Sequence, residues 1–282
     1  MAVSLRSSIA KRCSHLNAAL CRKELSMDEL YPEELRAKEF LEMVGLHVAP
    51  VPRSEVKTPE FLVTNDCYDY VVEVKSRKDS ELWSKTIAKG VVAEEVRKHA
   101  SDRWVTDVAR KAKKQMKKAD PDEYSLWVLW LSIDCDSASE TMFYQAIGSL
   151  FGAREVVELE NGKDSVTMWT CLYAAPSTFE CIPKICAAVV TSHENITLCV
   201  NEDSGDIDKL KKTKLYKSFA AIHPPISHSD LVNNRNYLTV KGCGLERRNE
   251  QQLLSYLSNK YQLSSPLFID MKTYSTTKKI SA

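Results

Sequence analysis

The residues best suited to chemistry lie between Thr58 and Arg77, in the stretch Thr-Pro-Glu-Phe-Leu-Val-Thr-Asn-Asp-Cys-Tyr-Asp-Tyr-Val-Val-Glu-Val-Lys-Ser-Arg. Two apolar runs, Phe61 to Val63 and Tyr70 to Val74, flank an Asn65-Asp66 turn signal and predict a β-hairpin, with Glu60 opening its first strand. On the second strand the two-residue period puts Val71, Glu73 and Lys75 on one face and Val72 and Val74 on the other. A carboxylate and an ammonium in a β-branched, central strand are costly unless they pair, hydrogen-bond or bind a metal. That cost marks the strand as a candidate site.

The tripeptide acid-x-Lys carries little by itself, since it occurs at Glu55 to Lys57, Glu73 to Lys75 and Asp270 to Lys272. Only the middle copy lies in a strand-like run with a proline-acid pair, Pro59-Glu60, upstream of it. This arrangement resembles the PD-(D/E)XK nuclease superfamily, with Glu60 standing where that family more often has Asp. The resemblance implies an α/β fold with a restriction-endonuclease-like core, a mixed central sheet flanked by helices, that hydrolyses phosphodiester bonds with Mg²⁺, or Mn²⁺ as a permissive substitute. It implies Glu60, Glu73 and the Val74 carbonyl as metal ligands and Lys75 as the group acting on water and transition state. The family also carries a Glu on the helix before its hairpin. Here the match is Glu34, with Glu33 and Glu39 as alternatives.

Downstream, Ala100, Trp104, Val108, Ala112 and Met116 recur every four residues and predict an apolar helical stripe. Gln115 falls within that buried face, ringed by Lys111, Lys113, Lys114, Lys117 and Lys118. An amide so placed suits a phosphate. Several branches of the superfamily have a Gln followed by basic residues on this helix, so the resemblance adds Gln115 to the catalytic set. Lys111, Lys114, Gln115 and Lys118 are the expected nucleic-acid contacts. DNA is favoured over RNA as the partner, and a second copy or a partner protein is left open. Two other readings remain: a catalytically inactive nuclease fold that only binds nucleic acid, and a structural or interaction protein whose buried charges simply pair.

These residues need a scaffold. Leu35, Phe40, Leu41 and Val44 predict an amphipathic helix begun by Pro32 and stopped at Gly45, with a weak capping box at Ser26 and Glu29 before it. Residues 80 to 119 read as one or two helices. Leu126 to Ile133 is a continuous apolar run that predicts a fully buried strand. Ser139 to Leu150 reads as a helix, Glu155 to Leu159 and Val166 to Ala174 as a hairpin across Asn161-Gly162, Thr178 to Val190 as a helix, and Ile196 to Val200 as a short strand. Beyond Asn201 the pattern weakens to a basic run at Lys209 to Lys217 and a helix over Leu245 to Tyr261 with Leu253, Leu254 and Leu257 inward. The expected division is a basic segment over 1–25, a nuclease-like domain over 26–202, and a basic extension or small subdomain over 203–282.

The formal charge of +1 conceals basic segments. Arg97 to Lys118 holds nine basic residues against two acidic, and Lys209 to Ala282 thirteen against four. Such segments suit a polyanion on one side of the molecule, although each taken singly also reads as a solvated helix face. Nine cysteines with no Cys-x-x-Cys pair, and His15 near Cys13 and Cys21 at no zinc spacing, read as reduced, mostly buried thiols. No apolar run approaches the roughly 20 residues that span a bilayer, so no membrane partner and a cytoplasmic location are expected. The first 23 residues hold five Lys or Arg and no acid. That is also the composition of a mitochondrial presequence, which keeps import through the basic N-terminus as a second reading of the segment.

Overall fold

A computed structural model describes residues 30–52, 58–64, 68–78, 93–98, 101, 103–135, 139–159, 166–270 and 272–277. The basic segment 1–25, the Ser26-Glu29 cap, both predicted hairpin turns, and Cys13, His15, Cys21 and Cys67 lie outside them. The chain forms helix α1 (Pro32–Met43), strands β1 (His47–Pro50), β2 (Phe61–Thr64), β3 (Tyr70–Lys78) and β4 (Ala93–Lys98), helix α2 (Arg103–Ala119), β5 (Leu126–Asp134), α3 (Ser139–Phe151), β6 (Arg154–Leu159), β7 (Val166–Leu172), α4 (Thr178–Cys181), β8 (Ile185–Thr191) and β9 (Ile196–Val200). Helices α5 (Ile207–Lys211), α6 (Lys214–Ile222) and α7 (His228–Val232), strand β10 (Tyr237–Thr239), helix α8 (Glu250–Tyr261), and strands β11 (Pro266–Ile269) and β12 (Lys272–Thr277) complete it.

The fold is α/β, built on a mixed six-stranded sheet in the order β1-β2-β3-β5-β8-β9. Strands β3, β5 and β8 run parallel at its centre, and β1, β2 and β9 pair antiparallel outside them. Strands β5 and β8 are apolar along most of their length, and β3 over its first half, because both faces of the sheet's centre are covered, as parallel pairing requires. On one face Val72, Val74, Trp130 and Val189 pack with Ala37 and Leu41 of α1 and Phe219 of α6. On the other, Leu129 and Leu131 pack with Val105, Ala109 and Ala112 of α2 and with α3. Val71 meets Met116 and Trp127 there, so β3 divides its side chains between the two layers as its period predicts. Gly45 follows α1 with φ +80°, the left-handed conformation that ends a helix most easily without a Cβ.

Three expected helices differ. Within the stretch read as one or two helices, residues 93–98 are strand β4, paired antiparallel with β12 some 180 residues away. Ala-Glu-Glu-Val-Arg-Lys has helix-forming composition, and a distant partner overrides that weak preference. Thr178 to Val190 is a four-residue helix followed by β8. Pro183 breaks the chain, and the apolar run after it is buried on both sides, a case in which periodicity cannot separate strand from helix. The last helix begins at Glu250 instead of Leu245; Leu253 and Leu257 face inward, while Leu254 is only half-buried.

The segment expected as a C-terminal extension is built into the rest. Strands β10 and β11 flank β7 and β6 in a four-stranded sheet of order β10-β7-β6-β11. Leu210, Leu215 and Phe219, from α5 and α6, complete the core on the α1 side of the large sheet. The boundary expected at residue 202 therefore falls across shared packing. Among the described residues no helix is long and apolar enough to cross a membrane.

Candidate active site

Strand β3 lies between β2 and β5, and its register with β2 pairs Phe61 with Val72 and Val63 with Tyr70. Backbone pairing stops at Phe61. Glu60, the next residue out, continues it with its side chain: the Val74 N–H donates to Glu60 Oε2 at 2.7 Å. A carboxylate thus stands where the neighbouring strand's carbonyl would be, fixed beside the segment that carries Glu73 and Lys75.

The ammonium of Lys75 gathers three oxygens. It donates to Glu60 Oε1 at 3.4 Å, to the Val74 carbonyl at 3.2 Å, and to Glu73 Oε1. Glu73 is fully buried, and its second oxygen, Oε2, has no hydrogen-bond partner among the described residues. Burial first, and the neighbouring Glu60 carboxylate second, push the Glu73 carboxyl far above the ordinary carboxylate range against the pull of Lys75. For Lys75, burial works against the charged form, but the two carboxylates outweigh it and raise its pKa. Two acids share one ammonium, so among the described residues the cluster holds more carboxyl groups than cations.

Glu60, Glu73 and the Val74 carbonyl already converge on a positive charge. That donor set consists of hard oxygens, with one buried carboxylate oxygen still lacking a partner, and fits a divalent cation such as Mg²⁺ that keeps several of its waters. Among the described residues no three His, Cys, Asp or Glu side chains cluster as a metal group. The protein could therefore offer two carboxylates and a carbonyl, with water or substrate completing the shell.

The other predicted residues are placed differently. Gln115 is buried on α2 as expected, but its amide Nε2 donates to the Thr58 carbonyl at 2.9 Å. It tethers the two residues leading into Glu60, so its contact in the structure is to the site's scaffold. Lys111, Lys114 and Lys118 are exposed beside it on α2. Glu34 does not approach Glu73: it sits in the first turn of α1 and accepts the Tyr31 N–H at 2.9 Å, half of a capping box. Its neighbour Glu33 reaches β3 instead, accepting the Ser76 hydroxyl at 2.7 Å and lying 3.3 Å from Lys78 Nζ. Ser76 shares its strand face with Val72 and Val74, so both helix acids lie on the opposite side of the sheet from Glu73 and Lys75. Glu39 is exposed.

Arg77 was not singled out by sequence. It continues the row Glu73, Lys75 at the same two-residue interval, and its guanidinium lies 5.5 Å from the centre of the Trp104 ring on α2. The period of β3 and the apolar stripe of α2 were both legible signals; only packing joins them. No protein-family model, no curated protein and no solved structure matches the chain.

Proposed function

We propose that the chain is a Mg²⁺-dependent nuclease with a restriction-endonuclease-like core of the PD-(D/E)XK type, acting on DNA. One observation carries this reading: Glu60, Glu73 and the Val74 carbonyl meet at the Lys75 ammonium, in a cluster that burial and like charge make costly to keep. Such perturbed groups concentrate at functional sites. The bound ion would supply a polarised phosphoryl oxygen and a more acidic water. Glu60 and Glu73 hold it, and Gln115 keeps Glu60 in place through Thr58. Lys75, whose pKa is raised, acts as an ammonium: it orients the attacking water and offsets charge building on the phosphate. The exposed Lys111, Lys114 and Lys118 supply the sequence-independent attraction for the backbone. A nuclease fold that binds without cutting is the second reading, favoured by the ammonium filling the point where the three oxygens meet.

The test is incubation of purified protein with plasmid, linear, single-stranded DNA and RNA, with Mg²⁺ or with chelator. Cleavage that chelator abolishes supports the nuclease. Lys75→Ala should still bind nucleic acid and cut at least about 10²-fold more slowly, since the ammonium acts mainly on the transition state. Binding without cleavage in any metal selects the second reading, and wild-type rates in Lys75→Ala remove the lysine from the mechanism.

A further inference from the structure

The three oxygens read as metal ligands are already engaged by a cation that belongs to the chain. Lys75 Nζ donates to Glu60 Oε1 at 3.4 Å, to the Val74 carbonyl at 3.2 Å, and to Glu73 Oε1. An ammonium and a divalent ion compete for the same lone pairs, which Mg²⁺ takes at about 2.1 Å, and two cations on one set of buried oxygens repel strongly. One of the two has to give way. The oxygens are held in place: Glu60 Oε2 accepts the Val74 N–H at 2.7 Å, Glu73 is fully buried, and the carbonyl belongs to β3, paired at Val74 with Trp130 of β5. Lys75 is the movable member, with 20% of its side chain exposed and a flexible four-carbon stem to carry Nζ outward.

We propose that the Lys75 ammonium is an internal competitor for the metal: it serves as counter-ion to Glu60 and Glu73, and it withdraws from them when a divalent cation binds. This rests on the nuclease reading and adds regulation of the same site. Once withdrawn, Nζ is released to meet water and phosphate, so the counter-ion contact and the catalytic role of Lys75 exclude each other in time. The protein without nucleic acid is then a weaker metal binder than its two carboxylates alone would make it.

Titration of the full chain with Mn²⁺ in a calorimeter, at one pH and without nucleic acid, reads this competition and needs no turnover. Lys75→Met keeps most of the side-chain volume and removes the charge, and it should bind Mn²⁺ at least about 10-fold more tightly than wild type. Lys75→Ala should show the same gain, which covers the case in which the methionine variant fails to fold. Lys75→Arg keeps the charge and should bind no more tightly than wild type. Adding Glu73→Gln to Lys75→Met should remove the gain, which locates the ion at this cluster. Melting temperatures give an independent reading, because an ion that binds the native chain stabilises it in step with its affinity. The rise from chelator to Mn²⁺ should therefore be larger in Lys75→Met than in wild type. Equal Mn²⁺ affinities in wild type and the uncharged variants, or tighter binding by wild type, overturn this proposal and leave the nuclease reading to its own test of chelator-sensitive cleavage. Mn²⁺ binding by none of the proteins, together with no cleavage of DNA or RNA in Mn²⁺, overturns the nuclease reading, and this one with it.

Discussion

The two faces of β3 carry the same kinds of group and treat them in opposite ways. Toward α1, Glu33 is a single buried carboxylate met by the Ser76 hydroxyl and the Lys78 ammonium. Burial pushes its pKa up, but those hydrogen bonds outweigh burial and leave it below the ordinary value. Toward α2, Glu73 is more deeply buried and, among the described residues, shares its one cation with Glu60, and its pKa moves up. Both carboxylates gain a lysine; what separates them is the second acid. One face is a balanced ion pair that ties α1 to the sheet, and the other is a cluster with an excess of acid, which stability alone gives no reason to retain.

The sharpest way to break this contrast is Glu73→Gln. It should abolish metal-dependent cleavage, a loss of at least about 10³-fold, while making the protein more stable at alkaline pH. The carboxyl rises from an ordinary 4.5 to about 9 on folding, so between those values the native chain binds more protons than the unfolded one. Stability from this group is therefore full at acid pH and lost as pH climbs through that window. Glutamine removes the slope, and at pH 8 without added metal the variant should melt several degrees higher, on a scale of roughly 2–4 °C per kcal/mol for a chain of this size. Melting curves of wild type and variant that run parallel from pH 5 to 9 would show that Glu73 carries no such penalty.

A smaller effect is expected at Gln115. Replacing it with Ala removes the 2.9 Å bond to the Thr58 carbonyl and costs about 1 kcal/mol of stability. If its role is to hold Glu60 in place, kcat should fall about 10-fold with KM unchanged. A raised KM at constant kcat would instead mean direct phosphate binding, as the sequence suggested.

The smallest effect belongs to the balanced face. Because the Glu33 pKa is lowered on folding, its contribution is present above the ordinary carboxylate value and is lost as pH falls through the folded one. Glu33→Gln should lose at most about 1 kcal/mol at pH 7, given that Lys78 is more than half exposed, and progressively less as pH falls below the ordinary carboxylate value. Its cleavage rate should match wild type. A large loss of cleavage in Glu33→Gln would place the helix acid in the site and erase the distinction between the faces.

The elements that sequence could predict were those whose signal is local. The alternation in β3, the unbroken apolar run of β5, the helix over Ser139–Phe151 and the β6–β7 pairing all follow from side-chain period and length. Strand β4 was hidden because its partner, β12, lies near the other end of the chain, and β8 because a short buried strand and a buried helix look alike in composition. The helix acid that meets β3 is Glu33, which stood as an alternative to Glu34. Adjacent positions on a helix point about 100° apart, so which of Glu33 and Glu34 reaches β3 depends on how α1 is rotated against the sheet.

By itself, the sequence determined that Glu73, Lys75 and Arg77 share one strand face, because the β period leaves no other choice. It also set an acid next to the turn into that strand's neighbour. Tertiary structure alone decided that Glu60 bonds to the Val74 N–H, that Gln115 spends its amide on Thr58, and that Trp104 lies against Arg77. It also decided that Glu73 is fully buried, because a charge's environment comes from the layers packed around it and not from the residues beside it in the chain.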